Sequence, residues 1–314
     1  MQTSDPEPTV TVIIPARPGD SEVPAAAAAR ALDYPAELLE VLVARGSQPS
    51  AQRNLALRQA KGELIYFLDD DSLPPPETLR RGVAHFRDPE VQIVGGPNLC
   101  PPDAPGLEKI FAWTMASLIA FGPSRARYAR VGRTRRSSEK ELILCNLMGR
   151  RETLLRHGGF DEALYPNEEN ALMDEIAKEG GRLIYDPDFW VYRRPRKTFK
   201  AFCKMLMTYG RGRAEQFRLH PGWGSALNLV PPAFCLFLLA TPLLGVRSAP
   251  IWGLYFLLLL VQTLSVGEGF RRVGVFPLLF LTHLLYGAGF WKGLFTRPGP
   301  RPQSVYEALR IESK

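Results

Sequence analysis

The sequence GELIYFLDDD at residues 62–71 joins a short apolar run to three consecutive carboxylates. Leu64–Leu68 is apolar without alternation, which is typical of a strand buried on both faces of a parallel sheet. Ser72 and the prolines at residues 74–76 follow the carboxylates and are expected to end the strand there. Open α/β sheets bind ligands at the carboxyl ends of their strands, so the carboxylates are predicted to lie in a binding site.

The carboxylates of Asp69, Asp70 and Asp71 repel one another unless a cation neutralises them. A ligand set made only of oxygen atoms favours Mg²⁺ or Mn²⁺. A solvated acidic turn is the alternative, but the strand before the carboxylates and the prolines after them favour a built site. We therefore expect Mg²⁺ or Mn²⁺ at this turn, together with a diphosphate group.

The flanking sequence predicts alternating strands and helices. Apolar β-branched runs predict strands, and longer segments rich in Ala, Leu and charged residues predict helices. The predicted strands are residues 10–14, 39–44, 64–68 and 91–94, and the predicted helices are residues 22–32, 52–60 and 77–86. This order predicts an α/β fold with a doubly wound, mostly parallel sheet.

Composition excludes some classes of protein and leaves others open. The 314 residues carry a net charge of +7, which suits nucleic acid, anionic lipid or a diphosphate substrate equally well. The cysteines form no CxxC pair and lie apart from the histidines, which argues against zinc and against a disulfide framework. They are Cys100, Cys145, Cys203 and Cys235. The polar, acidic N-terminus predicts no signal peptide and a catalytic portion that stays in the cytoplasm.

Three apolar stretches lie in the last third of the chain, at residues 227–246, 251–266 and 273–290. Each is close to the ~20 residues that cross a ~30 Å hydrocarbon core, which predicts a multi-pass protein of the inner membrane. Three crossings are expected from these lengths, but they would place Lys292 and the arginines of the C-terminal tail outside, against the positive-inside tendency. Pro242 also interrupts the first stretch, so that stretch is re-entrant or interfacial, or the tendency is broken here.

Several ordered motifs resemble one known family. The Phe-Leu-Asp-Asp-Asp segment resembles the DxD segment of the family 2 glycosyltransferases with a GT-A fold, within a resemblance that covers roughly residues 9–213. The chain is most similar to the membrane-anchored polysaccharide branch of that family, which includes succinoglycan-type transferases. Further similar segments are residues 10–17, 50–54, 60–63, 158–162 and 167–170.

The resemblance implies roles for residues on the donor side. It implies that Asp71 coordinates the metal and that Asp69 supports the nucleotide ribose or the metal shell. Pro15 and Arg53, in segments that match the family, are expected to contact the donor. Relatives carry an Asp that reads the nucleotide base after the second strand, but residues 44–47 are Ala-Arg-Gly-Ser, so the resemblance does not specify the base.

The general base is expected from the pair Glu168-Glu169, where the family normally shows Glu-Asp. The Asp position corresponds to Glu169, whose side chain is one methylene longer, so either Glu169 or Glu168 takes the role. Acidic residues that merely favour a helix N-terminus are the alternative. Relatives often carry a His near residues 192–196, which read Tyr-Arg-Arg-Pro-Arg, so no histidine metal ligand is expected there.

The arginines outside these motifs each have two possible roles. Arg211 and Arg213, on a predicted amphipathic helix over residues 200–213, either grip the diphosphate or meet anionic headgroups. The arginine-rich residues 124–136 are either a solvated loop or a lid over phosphates. Few aromatic residues lie among them, so nucleic acid is not expected as a partner.

These observations predict a metal-dependent, inverting glycosyltransferase that moves one sugar from a nucleotide-diphosphate-sugar to a glycan acceptor. The resemblance implies a polyprenyl-diphosphate-linked acceptor, contact with membrane lipids and a place in cell-surface polysaccharide synthesis. A processive synthase and a non-catalytic binding relative are the alternatives. The predicted segments are a disordered tail (1–8), a GT-A catalytic domain (9–199), an amphipathic juxtamembrane segment (200–226), a transmembrane region (227–295) and a second tail (296–314).

Overall fold

The computed structural model describes residues 7–162, 167–219, 228–296 and 309–313. The strands are β1 (Val10–Ala16), β2 (Leu39–Arg45), β3 (Leu64–Leu68), β4 (Val91–Gly95), β5 (Asn98–Leu99), β6 (Arg135–Arg136), β7 (Asn146–Arg150), β8 (Arg182–Tyr185), β9 (Val191–Tyr192) and β10 (Arg310–Ser313). The helices are α1 (Pro24–Arg30), α2 (Pro49–Gln59), α3 (Thr78–His85), α4 (Gly106–Met115), α5 (Leu118–Phe121), α6 (Arg151–Arg156), α7 (Glu168–Lys178), α8 (Phe199–Leu219), α9 (Val230–Leu244), α10 (Ala249–Ser265) and α11 (Val275–Phe295).

The central sheet has the strand order β10-β2-β1-β3-β7-β4-β8-β6 over the described residues. Strands β1, β2, β3, β4 and β8 point in one direction, whereas β6, β7 and β10 run antiparallel to their neighbours. The predicted α/β fold with a mostly parallel sheet is therefore confirmed. The sequence did not indicate β7, which lies antiparallel between β3 and β4.

The predicted strands and helices of the first 95 residues are all present, and only their ends differ. Helix α2 begins at Pro49 rather than at residue 52, because Gln48 caps it by accepting a hydrogen bond from the Ala51 amide. Proline in the first turn needs no amide partner and suits such a start. The predicted tail at residues 1–8 lies mostly outside the described residues, although Glu7 forms an ion pair with Arg80.

The apolar strands are buried because helices cover both faces of the sheet. Successive residues of a strand face opposite sides, so both sets of side chains must be apolar here. Val12, Ile14, Tyr66 and Leu68 pack on one face with residues of α1 and α3. The opposite face carries α2, α6 and α7, which pack against Ile13, Leu42, Ile65 and Phe67.

The C-terminal residues described here add an edge strand to this sheet. Strand β10 pairs antiparallel with β2, with Ile311 opposite Ala44, and Arg45 Nε lies 2.7 Å from Glu312 Oε1. These residues fall in the segment that the sequence predicted as a tail. The pairing also places the end of the chain on the side of the catalytic domain. The number of membrane crossings itself stays a prediction.

The three apolar stretches form α9, α10 and α11, which have 15, 17 and 21 residues. By length and composition, Val230–Ser265 and Phe270–Phe295 could each cross a membrane. Gly245, with a φ of 53°, ends α9 and separates it from α10. At about 1.5 Å per residue, α9 and α10 are each shorter than a ~30 Å hydrocarbon core.

Helix α11 packs along α8 at very short backbone distances. A Cβ atom on Gly210 would lie 2.0 Å from the carbonyl oxygen of Tyr286, and one on Gly289 would lie 2.2 Å from that of Met207. Small residues that let two helix backbones approach are typical of membrane-associated helix pairs. The predicted boundary near residue 226 therefore does not separate two packing units.

Both helices are also held on the catalytic domain. Phe111 of α4 stacks on Phe202 of α8 with ring centroids 4.3 Å apart. The imidazole Nε2 of His283 lies 3.1 Å from the Ile119 carbonyl oxygen. These contacts fix α8 and α11 beside the carboxyl edge of the sheet.

We predict that Gly210→Ala lowers the thermal unfolding temperature of the detergent-solubilised protein by several degrees or more, because the added methyl group cannot fit against the Tyr286 carbonyl. Gly253→Ala is the matched control, since no atom lies within 4 Å of the added Cβ on this helical glycine. It should leave stability unchanged or raise it by up to about 1 kcal/mol. Equal unfolding temperatures for the two variants would contradict the packing of α8 on α11.

Candidate active site

A cavity of about 980 Å³ opens at the carboxyl edge of the sheet. Its wall includes Pro15, Arg53 and the acidic turn on one side, and the start of α7 on another. Residues of α8, α9 and α11 complete it. The donor-side residues, the acid pair and the apolar helices predicted from the sequence therefore share one space.

The acidic turn is held by backbone contacts directly after β3. The Asp69 amide donates to Ser72 Oγ at 3.3 Å, and Ser72 Oγ donates to the Cys145 carbonyl oxygen at 3.1 Å. The Asp70 carbonyl oxygen accepts from the Ala25 amide at 3.1 Å. These bonds fix the backbone that carries the three carboxylates.

Two arginines surround Asp69. Its carboxylate lies 2.7 Å from Arg53 Nη2 and 3.0 Å from Arg193 Nη2. Burial favours the protonated acid, but the charges of Arg193 and Arg53 outweigh it and hold the pKa of Asp69 below its usual value. Asp69 is therefore an anion that is already neutralised by protein groups.

Asp70 also lines the cavity. The strand ends at Leu68, so the alternation of side chains along β3 does not extend to this residue. Burial and the charges of Asp71 and Asp69 raise the pKa of Asp70. The three carboxylates therefore do share one electrostatic environment.

Asp71 is the carboxylate that suits a metal ion. Its side chain is 48% exposed, and Arg193 Nε contacts its Oδ1 atom at 2.6 Å. Mg²⁺ and Mn²⁺ use one or two carboxylates and take further ligands from substrate phosphates and water. Asp71 fits that role, whereas Asp69 is committed to two arginines. Within the described residues, no three Asp, Glu, His or Cys side chains are grouped as a complete metal site.

The acid pair begins α7, and the structure gives its two members different surroundings. Glu168 is 2% exposed, lies 3.4 Å from Arg53 Nη1 and accepts a hydrogen bond from the Asn167 amide. Glu169 is less closely paired, with Arg127 Nη1 at 4.0 Å. Burial and the charge of Glu168 raise the pKa of Glu169. Glu169 is therefore the member suited to accept a proton.

The two predicted arginines of α8 do not act together. Arg213 lines the cavity with Tyr209, whereas Arg211 does not line it and lies 3.4 Å from Glu215. Each residue turns a helix by about 100°, so residues two apart face nearly opposite sides and residues four apart share a face. Only Arg213 is therefore placed to meet a ligand in the cavity.

Several residues of the cavity wall were not identified as site residues from the sequence, and four of them carry polar or charged groups that face the cavity. Arg193 occupies the region where a histidine was judged absent, and nothing in the sequence marks its contact with the carboxylates. Arg127 belongs to the arginine-rich segment but is buried and anchored on the carbonyl oxygens of Glu139 and Lys140. The other two, His283 and Tyr286, lie on α11 in an apolar stretch.

Comparisons with known proteins agree with this geometry. The sequence profile of a family described as "Glycosyltransferase like family 2" matches residues 3–207. Dolichyl N-acetyl-alpha-D-glucosaminyl phosphate 3-beta-D-2,3-diacetamido-2,3-dideoxy-beta-D-glucuronosyltransferase of Methanococcus voltae is 22% identical, over 77% of this chain and 74% of that protein. Succinoglycan biosynthesis protein ExoA of Rhizobium meliloti is 29% identical, over 60% of this chain and 56% of that protein.

A solved structure shares the fold over almost the whole chain. The mannosyltransferase PcManGT of Pyrobaculum calidifontis, in complex with GDP-Man and Mn²⁺, has a TM-score of 0.59 at 20% identity. The match covers 92% of this chain and 88% of that chain. The predicted GT-A fold is therefore confirmed.

We predict that Arg53→Met lowers the free energy of unfolding by about 3 kcal/mol at neutral pH, because it leaves Asp69 and buried Glu168 without their shared cation. Arg53 helps to lower the pKa of Asp69, so its stabilisation is present above the ordinary pKa of 3.8 and is lost as the pH falls further. The deficit of the variant should therefore narrow on acidification, as measured by urea unfolding in detergent.

Arg58→Met is the matched control, because Arg58 lies on the same helix and is exposed. Its effect should stay within about 0.5 kcal/mol at every pH. A deficit of Arg53→Met that grows as the pH falls would contradict the proposed pairing.

Proposed function

This chain belongs to glycosyltransferase family 2, and we propose that it transfers a single sugar from a nucleotide-diphosphate-sugar to a lipid-linked acceptor at a membrane surface. As a family member it is an enzyme that takes sugar from a nucleotide sugar. The observation that carries the finer proposal is the shared cavity, which joins the acidic turn, the acid pair and α8, α9 and α11. Such a space suits a polar donor at one end and an acceptor with an apolar carrier at the other.

The donor side combines its three carboxylates with several arginines. Arg53, Arg193 and Arg213 line this part of the cavity or its border with α8. Guanidinium groups bind phosphate oxygens through paired, charge-assisted hydrogen bonds. Mg²⁺ or Mn²⁺ held by Asp71 would supply further positive charge to the departing diphosphate. We propose that these arginines orient the diphosphate for in-line displacement at the anomeric carbon.

Glu169 is proposed as the general base. The acceptor oxygen forms a bond to the anomeric carbon while the bond from that carbon to the diphosphate oxygen breaks, and the hydroxyl proton passes to Glu169. Its raised pKa makes it a better proton acceptor than an ordinary carboxylate. Glu168 is proposed as a positioning residue, because Arg53 holds it beside the donor-side carboxylate Asp69.

The acceptor side supports a lipid-linked substrate. Val230 and Pro231 of α9 and Tyr286 of α11 form the outer wall of the cavity, next to Arg213. This arrangement places apolar surface beside a cation, which suits a polyprenyl chain attached to a diphosphate. A dolichyl-phosphate substrate in the name of the Methanococcus relative and succinoglycan synthesis in that of ExoA support a role in building cell-surface polysaccharide.

The apolar surface of α9 and α10 supports membrane attachment. Leu239 and Leu243 of α9 and Val246 of the turn before α10 are 75%, 90% and 86% exposed, which is unfavourable in water and favourable in hydrocarbon. We propose that these two helices enter the bilayer and return to the cytoplasmic side. Both chain ends then lie in the cytoplasm, and the pairing of β10 with β2 supports this arrangement.

We predict that Glu169→Gln reduces turnover by about 100-fold or more, because the amide cannot accept the proton. Donor affinity should change little. The wild-type rate should fall as the pH drops through the raised pKa of Glu169, and this decline should disappear in the residual activity of the variant. The measurement is steady-state transfer to a polyprenyl-diphosphate acceptor with a panel of nucleotide sugars.

Glu175→Gln is the control for this experiment, since Glu175 lies on the same helix and is exposed. Its turnover should match that of the wild type. Near-normal turnover in Glu169→Gln together with an inactive Glu168→Gln would reverse the assigned roles. Absence of transfer from every nucleotide sugar by the wild type would contradict the proposed function.

We also predict that epitope tags at both ends of the chain lie on the same side of the membrane. In inverted inner-membrane vesicles, protease should remove both tags, and release of the protein should require detergent rather than salt or alkali. Protection of one tag and loss of the other would contradict the return of the chain through α9 and α10. Release by salt would contradict insertion altogether.

A further inference from the structure

Arg193 occupies the space between the two carboxylates that the sequence assigned to a metal. Its Nε atom lies 2.6 Å from Asp71 Oδ1, and its Nη2 atom lies 3.0 Å from Asp69 Oδ2. One guanidinium therefore bridges both acids. Asp69 already has a cationic partner in Arg53, so Arg193 is a second positive charge beside that carboxylate.

The backbone of Arg193 is fixed relative to the acidic turn. Tyr192 exchanges two backbone hydrogen bonds with Leu73, at 2.8 Å and 2.9 Å, and the Arg193 amide donates to Leu99 at 2.9 Å. Leu73 is only two residues beyond Asp71. The fold thus fixes the backbone from which this side chain reaches the carboxylates.

The side chain of Arg193 is accessible to a ligand. It is 23% exposed and lines the main cavity together with Asp71. A guanidinium has five N–H donors, and Nη1 makes no hydrogen bond to any residue that the structure describes. Its planar fork matches two phosphate oxygens, as a lysine would not.

We propose that Arg193 is a ligand of the donor diphosphate that neutralises Asp69 and Asp71 until the donor arrives. This inference rests on the proposed function. In the donor-free protein the guanidinium and a divalent cation compete for Asp71, because both are attracted to the same carboxylate. A bound diphosphate brings negative charge of its own, so that Arg193 can turn to the phosphate oxygens and release Asp71. Arg193 would thereby supply part of the positive charge at the diphosphate.

The alternative is that Arg193 forms a structural salt bridge that only stabilises the turn. The two interpretations predict opposite changes in metal affinity when Arg193 is removed. If Arg193 only stabilised the turn, its removal would weaken the binding of metal and of nucleotide together. As a diphosphate ligand that competes with metal, its removal should weaken metal-free nucleotide binding and strengthen the binding of metal alone.

The experiment compares the wild type, Arg193→Gln and Arg193→Lys as full-length protein in detergent. Calorimetry in EDTA measures the affinity for ADP, CDP, GDP and UDP, and electron paramagnetic resonance measures the binding of Mn²⁺ without nucleotide. Arg193→Gln should bind its preferred nucleoside diphosphate about tenfold more weakly or worse in EDTA, as expected when a charge-assisted pair of hydrogen bonds is lost. It should bind Mn²⁺ alone more tightly than the wild type does.

Arg193→Lys keeps the charge without the fork, so it should lose several-fold in metal-free affinity, and it decides the matter if Arg193→Gln does not fold. Arg133→Gln is the control for net charge, because Arg133 is exposed and lies outside the cavity wall. It should match the wild type in both measurements. Unchanged metal-free affinity in the folded Arg193 variants, or weaker binding of both ligands, would overturn the inference.

The proposed function fails separately, if the wild type binds no nucleoside diphosphate even with Mn²⁺. Asp71→Asn provides the converse measurement. It should bind Mn²⁺ more weakly, because the carboxylate that holds the metal is gone. It should retain nucleotide binding in EDTA, because Arg193 no longer pairs with a carboxylate at residue 71 and can bind the diphosphate. Loss of nucleotide binding in EDTA by this variant, with its fold intact, would also count against the inference.

Discussion

The site depends on balancing the carboxylates around one cavity with cations from the protein itself. Arg53 is the central group, because it lies between Asp69 on the donor side and Glu168 on the acceptor side. A buried arginine with two acidic partners fixes their separation, since displacing either acid would leave a buried charge without a counterion. The acidic turn after β3 and the first turn of α7 are thereby joined through α2. The two sides of the cavity are therefore held at a fixed distance from each other.

The remaining charges give the carboxylates of the cavity different affinities for a proton. Asp69 is held as an anion, whereas Glu169 is buried beside another carboxylate and lies 4.0 Å from Arg127. Carboxylates close together thus acquire opposite tendencies to bind a proton, according to how near the arginines are. The same principle makes Asp71 the carboxylate best placed for a metal, because it is half exposed and its ion pair among the described residues is with Arg193.

The apolar helices are part of the site rather than an appended anchor. Gly210 and Gly289 let α8 and α11 approach at backbone distance, and this approach sets where Tyr209 and Arg213 meet the cavity. The chain then returns to the sheet, where β10 protects the edge of β2. The sheet and the apolar helices are therefore tied together at α8, at α4 and at the last strand, which fixes the position of the cavity relative to the apolar helices.

The sequence by itself determined the α/β order, the strand that ends in Asp69 and Asp71, the acid pair and the apolar character of the last third. These features follow from local periodicity and from motifs, which short stretches of chain carry in full. Only the tertiary structure decided the antiparallel insertion of β7, the return of residues 310–313 to the sheet and the contact of Arg193 with the carboxylates. Each of these features joins segments that are far apart in sequence. A single arginine in a sequence does not indicate which residue it contacts in the folded protein. The choice between Arg211 and Arg213 likewise needed the packed helix, because which face of α8 meets the cavity is set by its contact with α11.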